Sequence, residues 1–344
     1  MNKFLNLSHA KIVVTGHTGF KGTWLLWCLK KIGADIIGIS DHKNFEFYRQ
    51  SKIPIKKEYI VNITDYSSTY EIISTFKPDV IFHLAAQPLV TFSQSDPRKT
   101  VLDNVYGTTN VLDAAFRSGT PNIINVTTDK VYANNNNKTA FIESDQLGGS
   151  DIYSASKASV EIIAKAYFET FLKKDNINLA NVRAGNVIGG GDFSTDRIIP
   201  DIVKAAANKQ TLQVRSENAV RPWQHVLEPI SGYLQLAERM LLGSVQGMSV
   251  WNFGPPNLAC KTVGELIIEM SKYIEFHSEN IENPIREASF LKLNSDKAIK
   301  NLGWNNRWSF EDTIYQTANW YLFYLKSGNL YDITEQQVYD YFNW

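Results

Sequence analysis

The chain is short of several things at once. Its 344 residues include two cysteines, Cys28 and Cys260. Two thiols so far apart support neither a disulfide framework nor a cysteine metal site, and they suit a reducing compartment. Charge of one sign is not in excess, because 35 basic residues balance 35 acidic ones. Such a chain offers no general nucleic-acid surface and no basic membrane face, so an anionic ligand would have to meet a local cluster. No apolar run approaches the ~18 residues that a membrane span needs, and the opening Met1-Asn2-Lys3-Phe4-Leu5-Asn6-Leu7 lacks an apolar stretch leading to a cleavage site. These absences lead to the expectation of a soluble, untargeted, cytoplasmic protein with no metal, membrane or nucleic-acid partner.

What is present is alternation. Residues 10–15 have the unbroken apolar character of a buried strand, and 21–32 carry apolar residues at helical spacing up to Gly33. Further strands are expected at 34–40, 59–61, 80–84, 123–127 and 178–183, and helices at 70–76, 103–117 and 154–171. Strands alternating with helices demand a parallel sheet covered on both faces, the doubly wound α/β (Rossmann) arrangement. Length adds a second lobe, since one core rarely grows past about 250–300 residues. The expected division is a Rossmann domain over 1–185 and a smaller C-terminal α/β lobe over 186–344, with part of 220–250 returning to the first domain. After Asn186 the pattern loosens into Gly189-Gly190-Gly191, Pro200, Pro222, Pro229 and Pro255-Pro256. A lobe of that kind would sit over the strand C-termini, where open parallel sheets bind ligands. The asparagine run 134–137 is expected to be a polar surface loop.

Three groups of residues carry chemistry. Gly16-His17-Thr18-Gly19-Phe20-Lys21-Gly22 lies between the first strand and the first helix, where glycines permit a tight turn and a close approach of a dinucleotide pyrophosphate to the helix N-terminus. Asp41 follows the second strand, nineteen residues after Gly22. There a carboxylate would bind the adenosine ribose and favour NAD over NADP, or else merely open the next loop. Tyr153 and Lys157 stand four apart on an expected helix and therefore share a face. Lowering a phenol by ~3 pKa units takes about 4 kcal/mol, which the lysine ammonium and a nicotinamide cation together could supply. Thr128, Asp129 and Lys130 leave the end of the fifth strand. Oxidation of a sugar at C4 makes its C5 proton acidic, and water can then leave across C5 and C6 given a base and an acid. Lys130 would be that base and Asp129 that acid, each brought by desolvation to the neutral form it needs. The plainer alternative makes Asp129 a turn cap and Lys130 a solvated charge.

With these residues in view, the chain resembles the extended short-chain dehydrogenases/reductases, and within them the nucleotide-sugar 4,6-dehydratases, most narrowly those acting on CDP-glucose. The resemblance spans almost the whole chain. Besides Thr15 to Gly22 it rests on His83-Leu84-Ala85-Ala86-Gln87-Pro88-Leu89-Val90, Arg183-Ala184-Gly185-Asn186-Val187-Ile188-Gly189-Gly190-Gly191-Asp192 and Arg221-Pro222-Trp223-Gln224-His225-Val226-Leu227-Glu228-Pro229. It also includes Trp251-Asn252-Phe253-Gly254-Pro255, Leu291-Lys292-Leu293 and Leu302-Gly303-Trp304. Relatives acting on dTDP-glucose and GDP-mannose carry Glu where Lys130 stands.

The resemblance implies an NAD-using lyase. Thr128 would hydrogen-bond the sugar C4 oxygen, Tyr153 assisted by Lys157 would take its proton, and NAD would accept the C4 hydride. Water would leave and the same hydride return to C6, giving CDP-4-keto-6-deoxyglucose. Gly16, Thr18, Gly19, Phe20, Lys21, Gly22, Asp41, Asn62, Ile63, Leu84, Ala85, Ala86 and Asn104 would join Tyr153 and Lys157 around the cofactor. Gln87, Asn186, Arg197, Arg221 and Lys292 would meet the nucleotide sugar, with a surface salt bridge a nearly equal claim on Arg197. The helices at 103–117 and 154–171 would build a homodimer or a dimer of dimers, and the product would feed deoxysugar synthesis for lipopolysaccharide O-antigen.

Three positions depart from the family pattern. Asn62 replaces an Asp that holds the adenine amino group, though its amide oxygen can still accept. Residues 133–143 lack a usual Trp-containing stretch, and Arg286 replaces a common His before Glu287-Ala288. Other readings on the same residues are a nucleotide-sugar 4-epimerase or reductase, a 4,6-dehydratase of another nucleotide sugar, and a non-catalytic NAD-sensing scaffold.

Overall fold

The computed structural model describes residues 4–42, 45–134, 139–256, 259–281 and 291–344. Seven strands form one parallel sheet: β1 (Lys11–Thr15), β2 (Asp35–Ser40), β3 (Lys57–Ile60), β4 (Val80–His83), β5 (Asn122–Val126), β6 (Asn178–Ala184) and β7 (Met248–Phe253). Their order is β7-β6-β5-β4-β1-β2-β3. β1 lies at the switch point, with Val14 registered against Gly38 on one side and Phe82 on the other. Ile12, Val13 and Val14 are all fully buried, as a strand covered on both faces must be. The α/β doubly wound expectation holds.

The helices that cover the sheet begin and end for local reasons. α1 (Phe20–Ile32) stops at Gly33, whose φ of 94° places it in the left-handed cap. α2 (Tyr66–Phe76) starts four residues before the expected 70, because the Asp65 carboxylate accepts from the Ser68 amide at 3.1 Å. The single helix expected at 103–117 is three consecutive pieces: Pro97–Val101, a π turn at Leu102–Tyr106, and α3 (Gly107–Ser118). The start moves upstream because Asp96 caps the Lys99 amide and Pro97 opens the first turn. α4 (Ile152–Thr170) is capped by Asp151, which accepts from the Ser154 amide at 2.9 Å.

Between β6 and β7 the chain leaves the sheet and returns. It forms helix Ile198–Asn208, pairs Gln224–His225 with Val187–Ile188, and pairs Val220–Pro222 with Cys260–Thr262. α5 (Leu227–Leu241) then packs against α1, β5, β6 and β7, and β7 joins β6 in parallel with Val250 opposite Asn181. One apolar core runs without a break from Trp24 on α1 through Tyr233 on α5 to Trp304, Trp320 and Tyr341. A separate core lies on the other face of the sheet, beneath α2, α3 and α4. α6 (Phe310–Leu325) packs on α7 (Leu330–Phe342), which meets α1 and, through Tyr341, α5. There the buried Glu228 carboxylate accepts from the Arg307 and Trp308 amides and from the Tyr341 hydroxyl at 2.6 Å.

No helix among the described residues is long and apolar enough to cross a membrane. Most of the asparagine run, residues 135–137, lies outside the described residues, as do Arg286, Glu287 and Ala288.

Candidate active site

Parallel strands place all their C-termini at one edge, so the segments after β1, β4, β5 and β6 converge there. After β1, Gly16 adopts φ +70°, and a Cβ at this position would lie 2.7 Å from the Ala85 backbone nitrogen. A Cβ at Gly22 would lie 2.1 Å from the Gly16 carbonyl oxygen. The loop therefore closes only with glycine at both positions, and it leaves the first turn of α1 free to face an anion. Thr18 is buried and shares a 2.7 Å hydrogen bond with Ser40 at the end of β2. Phe20 and Lys21 open α1.

The β4 segment is fixed from below. Thr15 Oγ1 accepts from the Leu84 and Ala85 amides, each at 3.2 Å, and bonds His83 Nδ1 at 2.7 Å. Burial holds the His83 ring down at about 3, so it is a neutral strut. The π turn aims Asn104 inward, where it is fully buried. Its oxygen accepts from the Gln87 amide at 2.8 Å, and its Nδ2 donates to the Gln87 carbonyl at 3.1 Å and to Ser156 at 3.0 Å. Asn104 thus braces the wall on which Ala85 and Ala86 stand. Gln87 spends its own side chain on the Leu89 backbone and on Thr100 Oγ1, which makes it a part of the loop. Ile63 is buried against Gly107. Asn62 Oδ1 accepts from both the Thr64 amide and the Thr64 hydroxyl, so the oxygen expected to receive an adenine amine is already taken by its own turn. Asp41 is exposed beyond β2, 3.9 Å from His42.

After β5 and on α4 lie the groups with proton chemistry. Thr128 accepts from the Lys130 amide at 3.3 Å and also hydrogen-bonds Tyr153. Asp129 is 1% exposed. One of its oxygens faces Lys130 Nζ at 3.4 Å, and the other, Oδ2, is buried without a partner. Burial pushes the Tyr153 phenol up to about 12, against the pull of the Thr128 hydrogen bond and the Arg197 charge. The expected depression is therefore absent from the protein alone, where desolvation outweighs the nearby cation, and has to come with the ligands. Lys157 donates to the Val126 carbonyl at 3.3 Å, and burial brings its ammonium down to about 8 while Glu161 acts in the opposite direction.

Lys21 in the glycine loop is perturbed as well. Burial is the main reason its ammonium comes down to about 8, with the Arg197 and Lys157 charges adding to the effect and Asp129 opposing it. A cation in the first turn of a helix also opposes the helix dipole. Its Nζ lies 5.8 Å from the centre of the Tyr233 ring. Lys21, Lys157 and Arg197 therefore concentrate positive charge in the cleft, which suits a pyrophosphate. Arg197 also pairs with Asp192 at 2.9 Å. From β6 comes Asn186, whose buried Oδ1 has no partner, and Gly185 packs beside Asp129 Oδ2. Arg221 is buried on the strand paired with Lys261, and Lys292 lies close enough to Cys260 to act on its thiol. Cys28 and Cys260 are both free. Ser156, Thr15 and His83 were not expected as site residues, because polar residues inside a strand or helix pattern give no local signal.

A sequence profile described as the NAD dependent epimerase/dehydratase family matches residues 12–250. The chain belongs to that family. Its cofactor is NAD, and the close-approach glycines, the free first turn of α1 and the buried Lys21 beside them fit a dinucleotide. This NAD dependent epimerase/dehydratase is 36% identical over 348 residues to a CDP-glucose 4,6-dehydratase of Salmonella typhimurium, covering 96% of each chain. It is 26% identical to a probable dTDP-glucose 4,6-dehydratase of Sinorhizobium fredii, over 91% of this chain and 93% of that one. A UDP-glucose 4-epimerase structure from Stenotrophomonas maltophila with bound NAD matches with a TM-score of 0.81 at 19% identity, over 93% of this chain and 100% of the other. That last likeness concerns the fold.

Proposed function

We propose that this protein dehydrates CDP-glucose to CDP-4-keto-6-deoxyglucose. One observation carries the reading: Asp129 and Lys130 lie in contact beside Tyr153, in a chain aligned end to end with a CDP-glucose 4,6-dehydratase. An epimerase needs Tyr153, but it has no use for an added acid and base.

Bound NAD would accept the C4 hydride and later return it to C6. Tyr153 takes the C4 hydroxyl proton, and Thr128 orients that oxygen through the hydroxyl it also offers Tyr153. Lys157, one turn along the same face, supplies the charge that favours the phenolate. The elimination needs a neutral amine and a protonated carboxyl together. Lys130 Nζ and Asp129 Oδ1 face each other at 3.4 Å, which places the two groups together for that step. Lys130 then removes the C5 proton and Asp129 protonates the departing C6 hydroxyl. Arg197, Arg221, Asn186 and Lys292 are the proposed nucleotide-sugar contacts, with the two guanidiniums on the diphosphate.

The deciding experiment follows CDP-glucose deuterated at C4 by NMR. Deuterium arriving at C6 of a keto-deoxy sugar is the expected result. Its return to C4 with inversion would mean epimerisation, and no turnover of any nucleotide glucose would sink the catalytic reading.

The same proposal includes a homodimer in the cytoplasm. Val101, Leu102 and Tyr106 are about half exposed on the segment that leads into α3, and Ile162 is 58% exposed on the adjacent α4. A second copy would cover this apolar face. The two free thiols suit a reducing compartment.

A further inference from the structure

Beneath the site lies a buried ion pair that none of the steps above uses. Arg183 on β6 and Glu161 on α4 each have side chains 2% exposed. Arg183 Nη2 donates to Glu161 Oε2 at 2.5 Å, and its Nε donates to Oε1 at 2.9 Å. Stability alone is a poor reason to bury such a pair, because well-packed apolar residues often serve as well. What each partner also holds is more informative.

Glu161 Oε1 accepts from the Thr127 hydroxyl at 2.6 Å. Arg183 Nη1 donates to the Tyr132 hydroxyl at 2.6 Å, and the guanidinium lies 4.5 Å from the centre of the Tyr132 ring. Thr127 and Tyr132 bracket Thr128, Asp129 and Lys130, so one ion pair grips both ends of the segment that carries the proposed acid and base. The grip extends outward. Tyr132 donates to Asn252 Oδ1 at 2.7 Å and stacks on Phe141 at 4.6 Å, and the Phe141 amide donates to the Lys292 carbonyl at 2.9 Å. Glu161 also stands one helical turn beyond Lys157, and its charge raises that ammonium.

We propose that Arg183 and Glu161, acting through Thr127 and Tyr132, are positioning residues for the elimination step: they hold Asp129 and Lys130 against the sugar without touching it. The proposal rests on the dehydratase reading. It predicts a separation of steps, because Tyr153 and Lys157 are set by α4 itself, whereas Lys130 depends on the Tyr132 end of the grip.

Tyr132→Phe keeps the ring stack and removes only the hydroxyl. In single-turnover experiments with CDP-glucose, its C4 oxidation should stay within about twofold of wild type. Elimination should slow by about tenfold or more, the cost expected for a small misplacement of catalytic groups. Reduced-nicotinamide absorbance and the 4-keto sugar with its C6 hydroxyl intact would then accumulate. Glu161→Gln should slow elimination as well, and should move to lower pH the limb on which oxidation loses the Lys157 proton. The proposal is overturned if Tyr132→Phe leaves both steps unchanged, or if both steps fall together with the melting temperature. Tyr132→Phe remains decisive if Glu161→Gln does not fold. Wild type that fails to move C4 deuterium to C6 overturns the dehydratase reading first, and this proposal with it.

Discussion

Lys21 shows how one side chain can work against the fold that carries it. Its ammonium is held near 8, below the ordinary 10.5, so the folded protein disfavours the charged form. Between pH 10.5 and about 8 the unfolded chain binds the extra proton, stability falls as pH falls, and below about 8 the whole penalty is present. Lys21→Met should therefore raise the stability of the cofactor-free protein at pH 7 by about 1–3 kcal/mol in denaturant titration. The same variant should bind NAD about tenfold more weakly by calorimetry, since a charge-assisted contact to the pyrophosphate is lost. Wild-type affinity should be flat below pH 8 and decline above it, and that decline should be absent in the variant. Equal stability and equal affinity in the two proteins would remove Lys21 from cofactor binding. Its place in the Gly loop was legible from spacing. Its partners were not, because Asp129 and Arg197 meet it only across the cleft.

Single caps and close contacts set the elements that present the site. Asp151 holds the first turn of α4 through the Ser154 amide and hydroxyl, two residues before Tyr153, and its charge also disfavours the Tyr153 phenolate. Asp151→Ala should cost about 1 kcal/mol of stability in thermal unfolding. Asp151→Asn should keep most of that stability while letting Tyr153 titrate lower, and equal losses in the two variants would argue against a capping role. The helix could be read from its spacing, whereas its capping residue came only with the structure. The π turn that buries Asn104 could not be read either, since its residues look like continuous helix. The triple glycine 189–191 looked like a loosening of structure. It is instead buried, because a Cβ on Gly190 would lie 2.0 Å from the Trp320 ring. A glycine needed for close packing and one that breaks a pattern look the same in sequence.

For the whole molecule, the proposed dimer turns on the apolar face of Val101, Leu102, Tyr106 and Ile162. Val101, Leu102 and Tyr106 line a shallow groove that Pro97 and Val105 help to form, and Ile162 is exposed on the neighbouring α4. Sedimentation of the wild type should give twice the monomer mass, and Tyr106→Lys combined with Ile162→Lys should give a monomer. An unchanged mass in the double variant would place the interface elsewhere. The order of strands around β1 and the return of the chain as β7 set where this face lies relative to the cleft: α4 carries Tyr153 and Lys157 on its buried side and Ile162 on its exposed side.

The sequence by itself determined the parts that depend on neighbours in the chain. Strand–helix alternation requires a parallel sheet, glycines at the first turn admit a pyrophosphate, and residues four apart on a helix share a face. Tertiary structure decided what each side chain is used for. Asn62 turned inward on its own loop, Gln87 on its loop and Thr100, Arg197 joined the cleft while keeping its partner Asp192, and Arg183 met Glu161 beneath the segment between Thr127 and Tyr132. The physical reason is that periodicity reports whether a residue is buried, while the identity of its partner depends on elements brought together from distant parts of the chain.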